Sequence, residues 1–383
     1  MDAPGTDTGG GGGDQDAAVP PGPHVVDLSA GANETCAVLV DGTIRCWGDN
    51  GERQLGAGST EASSAQPLEV VGISDAVEVS VGVELACARH VTGTVSCWGG
   101  GANGRLGDGT TDDHPTPIAV PGLDHVVAVE AGVYIACALR DDGSVWCWGR
   151  LGDTGNDLGG TTSPTAVAGL AGVESLSLAP NGGTGTSSTQ SCGVRQDGTA
   201  YCWGANDYGQ LGTGDQMDTR RPVDVMGLTG TSLLAAGGRH TCALTTDGAT
   251  HCWGFPGWVG DGNASDDRFL PVVISTPVPF LALDAGDGHT CAIGDDGGIY
   301  CWGDCGRGQC GDGTVLGGSY QRLVPTRVAG IDDAVLVTTG ASHSCATTAR
   351  DVTYCWGDTG WGQLGSGTAT TLERVNTPRP VVW

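Results

Sequence analysis

From Ala76 to Gly82 the chain reads Ala-Val-Glu-Val-Ser-Val-Gly, and from Val126 to Gly132 it reads Val-Val-Ala-Val-Glu-Ala-Gly. Apolar and polar side chains alternate with a period of two, as in a strand buried on one face, and each run stops at glycine. A second pattern follows. In Cys36-Ala-Val-Leu-Val-Asp-Gly-Thr-Ile-Arg-Cys46, apolar residues flank Asp41-Gly42, which predicts two strands joined by a tight hairpin. A three-residue loop of Val40, Asp41 and left-handed Gly42 pairs Leu39 with Thr43, and therefore Cys36 with Cys46. Turn-rich segments come next, such as Gln54-Leu55-Gly56, Arg105-Leu106-Gly107, Gln210-Leu211-Gly212 and Gln363-Leu364-Gly365. A proline-led extended piece closes the period at residues 67–71, 117–120, 222–225 and 325–328. Each period thus predicts about four strands.

The hairpin occurs seven times: Cys36 with Cys46, Cys87 with Cys97, Cys137 with Cys147, Cys192 with Cys202, Cys242 with Cys252, Cys291 with Cys301, and Cys345 with Cys355. Each second cysteine opens Cys-Trp-Gly. Successive copies start 49 to 55 residues apart, the length of one small sheet, so the chain is a repeat array. Six copies place glycine at the third loop position; the seventh has Asp351, a residue type that tolerates the left-handed region. Directly opposed residues on antiparallel strands lie about 4.5 to 5.5 Å apart at Cα, within disulfide range. A reduced buried pair and a metal site are the alternatives, and none of the seven pairs has the two-to-four-residue ligand spacing of zinc knuckles. Cys305 and Cys310 are expected to close an eighth, loop-local bridge. The seven Trp residues after the second cysteines point away from the bridges and are expected to fill the space between blades.

The first repeat begins at residues 24–31 without a proline-led piece, and the chain ends with one, Thr377-Pro-Arg-Pro-Val-Val-Trp383. An open array needs polar caps, so the two ends are expected to pair in one mixed sheet. The expected fold is all-β, a seven-bladed β-propeller over residues 24–383, closed by pairing of the N- and C-terminal segments, with one hairpin disulfide per blade.

The in-phase order of a strand ending in Gly, His-Thr-Cys-Ala-Leu, Asp-Gly, Cys-Trp-Gly, Gln-Leu-Gly and Gly-Thr resembles the regulator of chromosome condensation repeat family. The paired cysteines look like its secreted bacterial branch. The resemblance implies the same propeller and a framework role for His240, His289 and His343. It implies several functions, since the family includes guanine nucleotide exchange factors with chromatin contact, photoreceptors and enzyme inhibitors. The light-sensing members use Gly-Trp-Arg-His-Thr; here Gly237-Gly238-Arg239-His240-Thr241 lacks that Trp.

The net charge is -27 and all 17 basic residues are Arg. Such a surface repels phosphate backbones, and Arg220-Arg221 is a thin basic cluster, so no nucleic acid partner is expected. Lysine Schiff-base chemistry is excluded. The Gly-rich turns contain no GxxxxGK[ST] arrangement, no Asp-x-Asp-x-Asp-Gly loop is present, and no nucleophile elbow appears, so neither cofactor, metal nor enzymatic activity is expected. Disulfides at this density point to an extracytoplasmic setting: secreted, periplasmic or anchored at the cell surface. Met1-Asp-Ala-Pro opens no apolar leader and reads as a mature start. Residues 1–23, rich in Gly, Asp and Pro, read as a disordered tether suited to surface attachment. No apolar run is long enough for a transmembrane helix, and a monomer is expected.

His240, His289 and His343 sit two residues before a cysteine in consecutive blades, where the other copies carry Glu34, Leu85, Ile135 and Gln190. Equivalent positions one blade apart favour structural hydrogen bonds over a zinc site. Departures from the repeat mark the candidate contact surface: insertions at residues 179–189 and 315–322, and the extra aromatics Tyr208, Phe255, Trp258, Tyr320 and Trp361. Large aromatics near Arg are favoured binding anchors, and wedging loops together is their bland role. The sequence therefore points to a non-catalytic scaffold binding a protein or surface ligand through one propeller face. Exchange activity on a small GTPase and inhibition of a secreted enzyme are the alternatives.

Overall fold

The computed structural model describes residues 21–150, 160–180, 190–314, 320–368 and 374–383. Among them, 28 strands form seven four-stranded antiparallel sheets, each built from consecutive strands. In blade 1, β1 (Val25–Ala30), β2 (Glu34–Leu39), β3 (Ile44–Asp49) and β4 (Ser63–Glu69) run in chain order from the central channel outward. Blades 2 to 7 repeat this order over residues 76–119, 126–166, 173–224, 231–273, 280–327 and 334–380.

The hairpin has the register that its spacing requires. Leu39 N donates to Thr43 O at 2.9 Å, Gly42 N donates to Leu39 O at 2.8 Å, and Cys36 stands opposite Cys46. Gly42 takes φ 79°, and Asp351 takes the same left-handed position at φ 60°. All sixteen cysteines are bonded. Bridges join Cys36 to Cys46, Cys87 to Cys97, Cys137 to Cys147 and Cys192 to Cys202 in blades 1 to 4. In blades 5 to 7 they join Cys242 to Cys252, Cys291 to Cys301 and Cys345 to Cys355. Their Cα separations of 4.0 to 4.1 Å fall slightly below the expected 4.5 to 5.5 Å, at the side of the closer, non-hydrogen-bonded antiparallel pairs. The eighth bridge, Cys305 to Cys310, closes a loop at 5.2 Å.

The core lies between blades. The Cys36–Cys46 bridge shares one apolar cluster with Trp98 of blade 2, Cys87–Cys97 with Trp148 of blade 3, and Cys192–Cys202 with Trp253 of blade 5. Each indole is wholly buried, and those of Trp47, Trp98, Trp148, Trp253 and Trp356 donate Nε1 to the turn of the preceding blade, as Trp98 to Gln54 O at 2.9 Å, Trp253 to Gln210 O at 2.8 Å and Trp356 to Gln309 O at 2.8 Å; Trp302 Nε1 has no partner among the described residues. The turn glycine sits flat on that indole; at Gly56, φ 66°, a Cβ would lie 2.6 Å from Trp98 Nε1. Bridge, leucine and tryptophan therefore form one packing unit that recurs around the ring.

The two ends meet across neighbouring sheets, and the expectation of a mixed sheet is corrected. The proline-led piece is the outer strand of the blade before it, so the last strand, Arg374–Pro380, completes blade 7 by itself. Blade 7 then docks on blade 1 as any blade docks on the next: Ala341 N donates to Gly31 O at 3.1 Å and Trp47 Nε1 to Gln363 O at 2.9 Å. Gly22 N also donates to Asp351 O at 2.7 Å, and His24 Nδ1 bonds Asp351 Oδ1 at 2.6 Å. The expected tether otherwise falls on residues 1–20, outside the described residues, as do 181–189 and 315–319 of the two insertions. No helix among the described residues is long and apolar enough to cross a membrane.

Candidate functional site

A four-strand antiparallel order sends the first-to-second and third-to-fourth connections to one face and the hairpin turns to the other. Tyr208, Phe255, Trp258, Tyr320 and Trp361 all lie on third-to-fourth connections and so share a face. Three of them come together. Tyr208 meets Phe255 edge-on at 5.0 Å between centroids, and Phe255 meets Trp258 at 4.6 Å. Trp258 occupies the turn position that carries Gln210 in the preceding blade and packs edge-on against His240 at 6.0 Å.

At their centre is Arg239, from the first-to-second connection of blade 5. Its guanidinium carbon lies 5.0 Å from the Tyr208 ring and 6.0 Å from the Trp258 ring. Its Nε is buried and has no hydrogen-bond partner among the described residues. Stacking holds the fork flat and the residue is only half-buried, so the part of the cation that reaches solvent is preorganised to take a carboxylate or carbonyl from outside. The two remaining aromatics stand apart. Tyr320 is stacked under Arg322 at 4.6 Å, accepts from Thr314 Oγ1 at 3.2 Å and packs on the blade 6–7 core, which is the wedging role. Trp361 is 45% exposed on blade 7.

The three histidines point into successive interfaces. His240 Nε2 bonds Thr290 Oγ1 at 2.7 Å, His289 Nε2 bonds Ser344 Oγ at 2.8 Å, and His343 Nε2 bonds Thr35 Oγ1 at 2.8 Å. Thr35 and Ser344 each donate onward to a turn carbonyl, Gln363 O and Gln309 O, so His343 and His289 are the donors to them. Complete burial pushes His240 and His289 down to about 3 and His343 to about 4, so all three are neutral latches.

The first strands enclose a central channel of about 400 Å³. Each would present an open strand edge, and side chains of the neighbouring blade occupy it. Val79 N donates to Asp27 Oδ2 at 2.7 Å, Val129 N to Glu78 Oε1 at 3.1 Å, Thr339 N to Asp284 Oδ2 at 2.7 Å, and Ala30 N to Thr338 Oγ1 at 3.0 Å. Burial pushes the Asp27 carboxyl up to about 6, against the Val79 bond, and raises Glu130 well above the ordinary range with help from Glu78, Asp284 and Asp27. Asp27, Glu78 and Asp284 thus occupy the open edges of neighbouring first strands, and Glu130 accepts from Ser80 Oγ at 3.4 Å. Sequence reasoning missed them and the centring of the patch on Arg239; the polar phase of each first strand was the available signal for the former.

Two family models, both described as the regulator of chromosome condensation (RCC1) repeat, match this chain. One matches residues 92–139, 197–244 and 296–347, the other residues 25–54, 126–153 and 280–309. The ultraviolet-B receptor UVR8 of Arabidopsis thaliana is 30% identical over 370 residues, covering 92% of this chain and 81% of the relative. The human E3 ubiquitin-protein ligase HERC2 is 30% identical over 226 residues, 57% of this chain and 4% of the ligase. Among solved structures, Prp20p of Saccharomyces cerevisiae, studied for binding to Gsp1p and histones, superposes with a TM-score of 0.75 at 22% identity, covering 92% of this chain and 86% of that one. Human WBSCR16 gives a TM-score of 0.75 at 22% identity over 85% and 87%. Seven blades in register, the Cys-Trp-Gly hairpins and matches spread from blade 1 to blade 7 agree: the chain belongs to the regulator of chromosome condensation (RCC1) repeat family.

Proposed function

We propose that this chain is a non-catalytic, extracytoplasmic recognition scaffold that holds a protein partner on the face carrying Arg239, Tyr208, Phe255 and Trp258. The observation that carries the reading is the half-buried Arg239 guanidinium, stacked against two aromatic rings. Aromatic and Arg side chains at the centre of a face are the residue types that dominate binding energy. Eight disulfides support an oxidising compartment, and residues 1–23 supply a tether of the composition that a surface-held monomer would use. A secreted enzyme is one class of partner this face would suit.

The test is site-specific photocrosslinking in native secreted or envelope extract. Benzoylphenylalanine at Tyr208 is expected to trap a partner that the same probe at Thr246, on the hairpin face, does not trap. The adduct should disappear in Arg239→Ala; equal trapping with and without Arg239 would refute the assignment.

The relative named as an ultraviolet-B receptor favours a second reading, light sensing. Gly238 offers no indole at the corresponding motif position. Ultraviolet-B irradiation is accordingly expected to leave the elution volume unchanged, and a light-dependent shift would favour the receptor reading.

A further inference from the structure

Opposite the aromatic face, the hairpin side of the ring leaves apolar side chains in solvent. Val40 and Val91 are 68% and 69% exposed, Val26 42% and Val77 38%. With Asp41 and Asp75 they line an open groove of about 500 Å³ between blades 1 and 2. The apolar character continues around the channel mouth at the equivalent first-strand positions of blades 3, 6 and 7, Val127, Leu281 and Val335, and stops at Glu174 and Ser232 in blades 4 and 5. Five consecutive blades thus form an apolar arc whose residues fill no core. An exposed apolar groove of this kind, rimmed by charge, is characteristic of a contact surface.

The rim is acidic. Asp41 is exposed and accepts from Thr43 N at 3.0 Å and Thr43 Oγ1 at 2.6 Å, bonds that favour its ionised form. Asp75 bonds His90 Nδ1 at 2.7 Å, and no Arg among the described residues lines the groove. Charge decides among occupants. A second copy would bring its own Asp41 and Asp75 to a face-to-face contact between two chains of net charge -27. Residues 1–20 carry Asp2, Asp7, Asp14 and Asp16 and no Arg, so this chain's own terminus is repelled as well. A cationic occupant is attracted.

We infer that the groove between blades 1 and 2 docks a short cationic segment of another protein, with apolar side chains on Val26, Val40, Val77 and Val91 and positive charge on Asp41 and Asp75. The surface is separate from the Arg239 patch, so either assignment can fail alone.

The test is fluorescence anisotropy with three labelled six-residue probes, alternating Arg-Val, Arg-Ser and Glu-Val. The Arg-Val probe is expected to bind best, to weaken about tenfold in Val40→Ser/Val91→Ser, and to weaken several-fold in Asp41→Asn. Both valines are exposed, so the double variant should fold normally, and unchanged thermal unfolding checks this. Equal affinity for wild type and double variant would show general attraction to the acidic surface and overturn the proposal. So would a wild-type dimer in sedimentation that Val40→Ser/Val91→Ser converts to monomer, which assigns the groove to a second copy. A tenfold gain in probe affinity on deleting residues 1–20 would assign it to the chain's own terminus and overturn it equally.

Discussion

The interfaces joining blades 5, 6, 7 and 1 differ from those joining blades 1, 2 and 3 at one facing pair of positions. In the first group, a wholly buried histidine, His240, His289 or His343, bonds a hydroxyl of the next blade. In the second, the same position carries Glu34 or Leu85, and the following blade offers Ala86 or Ala136 in place of the hydroxyl. The Trp, bridge and turn framework is shared by both groups. Leu85 against Ala136 is an ordinary apolar contact. Glu34 is the conspicuous case: Oε2 accepts from Asn33 N at 2.9 Å, but Oε1 is buried without a partner among the described residues, and burial pushes the carboxyl up to about 8. The polar latch is therefore a matched pair, and half of a pair is a liability in a dry interface.

The histidine latches and Glu34 should respond to pH in opposite directions. For the histidines the folded pKa lies below the unfolded value of about 6.5, so their contribution is complete above pH 6.5 and is lost as pH falls toward 4. For Glu34 the folded pKa lies above the unfolded value, so its penalty grows from about pH 4.5 to about pH 8 and is relieved on acidification.

The largest break in the comparison is His343→Ala, which empties the latch that closes blade 7 on blade 1. It is expected to lower unfolding free energy by about 3 kcal/mol at pH 7.5 in guanidinium titration, through a lost hydrogen bond and a cavity. A loss below about 0.5 kcal/mol would show that the latch is incidental. Next is Glu34→Gln, expected to stabilise by about 2 kcal/mol at pH 8, with the gain shrinking by roughly 1.4 kcal/mol per pH unit on acidification until it vanishes near pH 6.5. A gain independent of pH would mean that ionisation of Glu34 is not the cause. Ala86→Ser sharpens the contrast by giving Glu34 a hydroxyl, with Gln54 O as its onward acceptor by analogy with Thr35 and Gln363 O. A gain of about 1 kcal/mol in thermal unfolding is expected, and a loss would show that the interface has no room for the oxygen. The smallest effect is Asp351→Gly, where relief of φ 60° should add about 0.5 kcal/mol, since the exposed His24 contact it removes is worth little.

The sequence made the blade legible because its signals are local: alternation, Asp-Gly turns and facing cysteines specify a hairpin without reference to anything distant. The pairs ending in Cys147, Cys252, Cys301 and Cys355 follow from the same count as Cys36 and Cys46, and each is bridged. Ring closure was not legible, because a proline-led strand at the C-terminus fits equally well as the partner of an N-terminal strand or as the outer edge of its own blade. Spacing alone does not separate these. The aromatic candidates were half legible. Tyr208, Phe255 and Trp258 converge because their loops belong to adjacent blades, whereas Tyr320 turns inward under Arg322 and Trp361 sits on another blade. Arg239 stood in the sequence beside His240, and its unsatisfied stacking could be seen once the two neighbouring loops were placed around it.

The most direct test of the central claim, that the Arg239 patch is the recognition surface, is calorimetric titration of the photocrosslinked partner against wild type, Arg239→Ala and Val40→Ser/Val91→Ser. At least about a tenfold loss of affinity is expected in Arg239→Ala, with unchanged thermal unfolding. An Arg239→Ala protein that binds as tightly as wild type would contradict it.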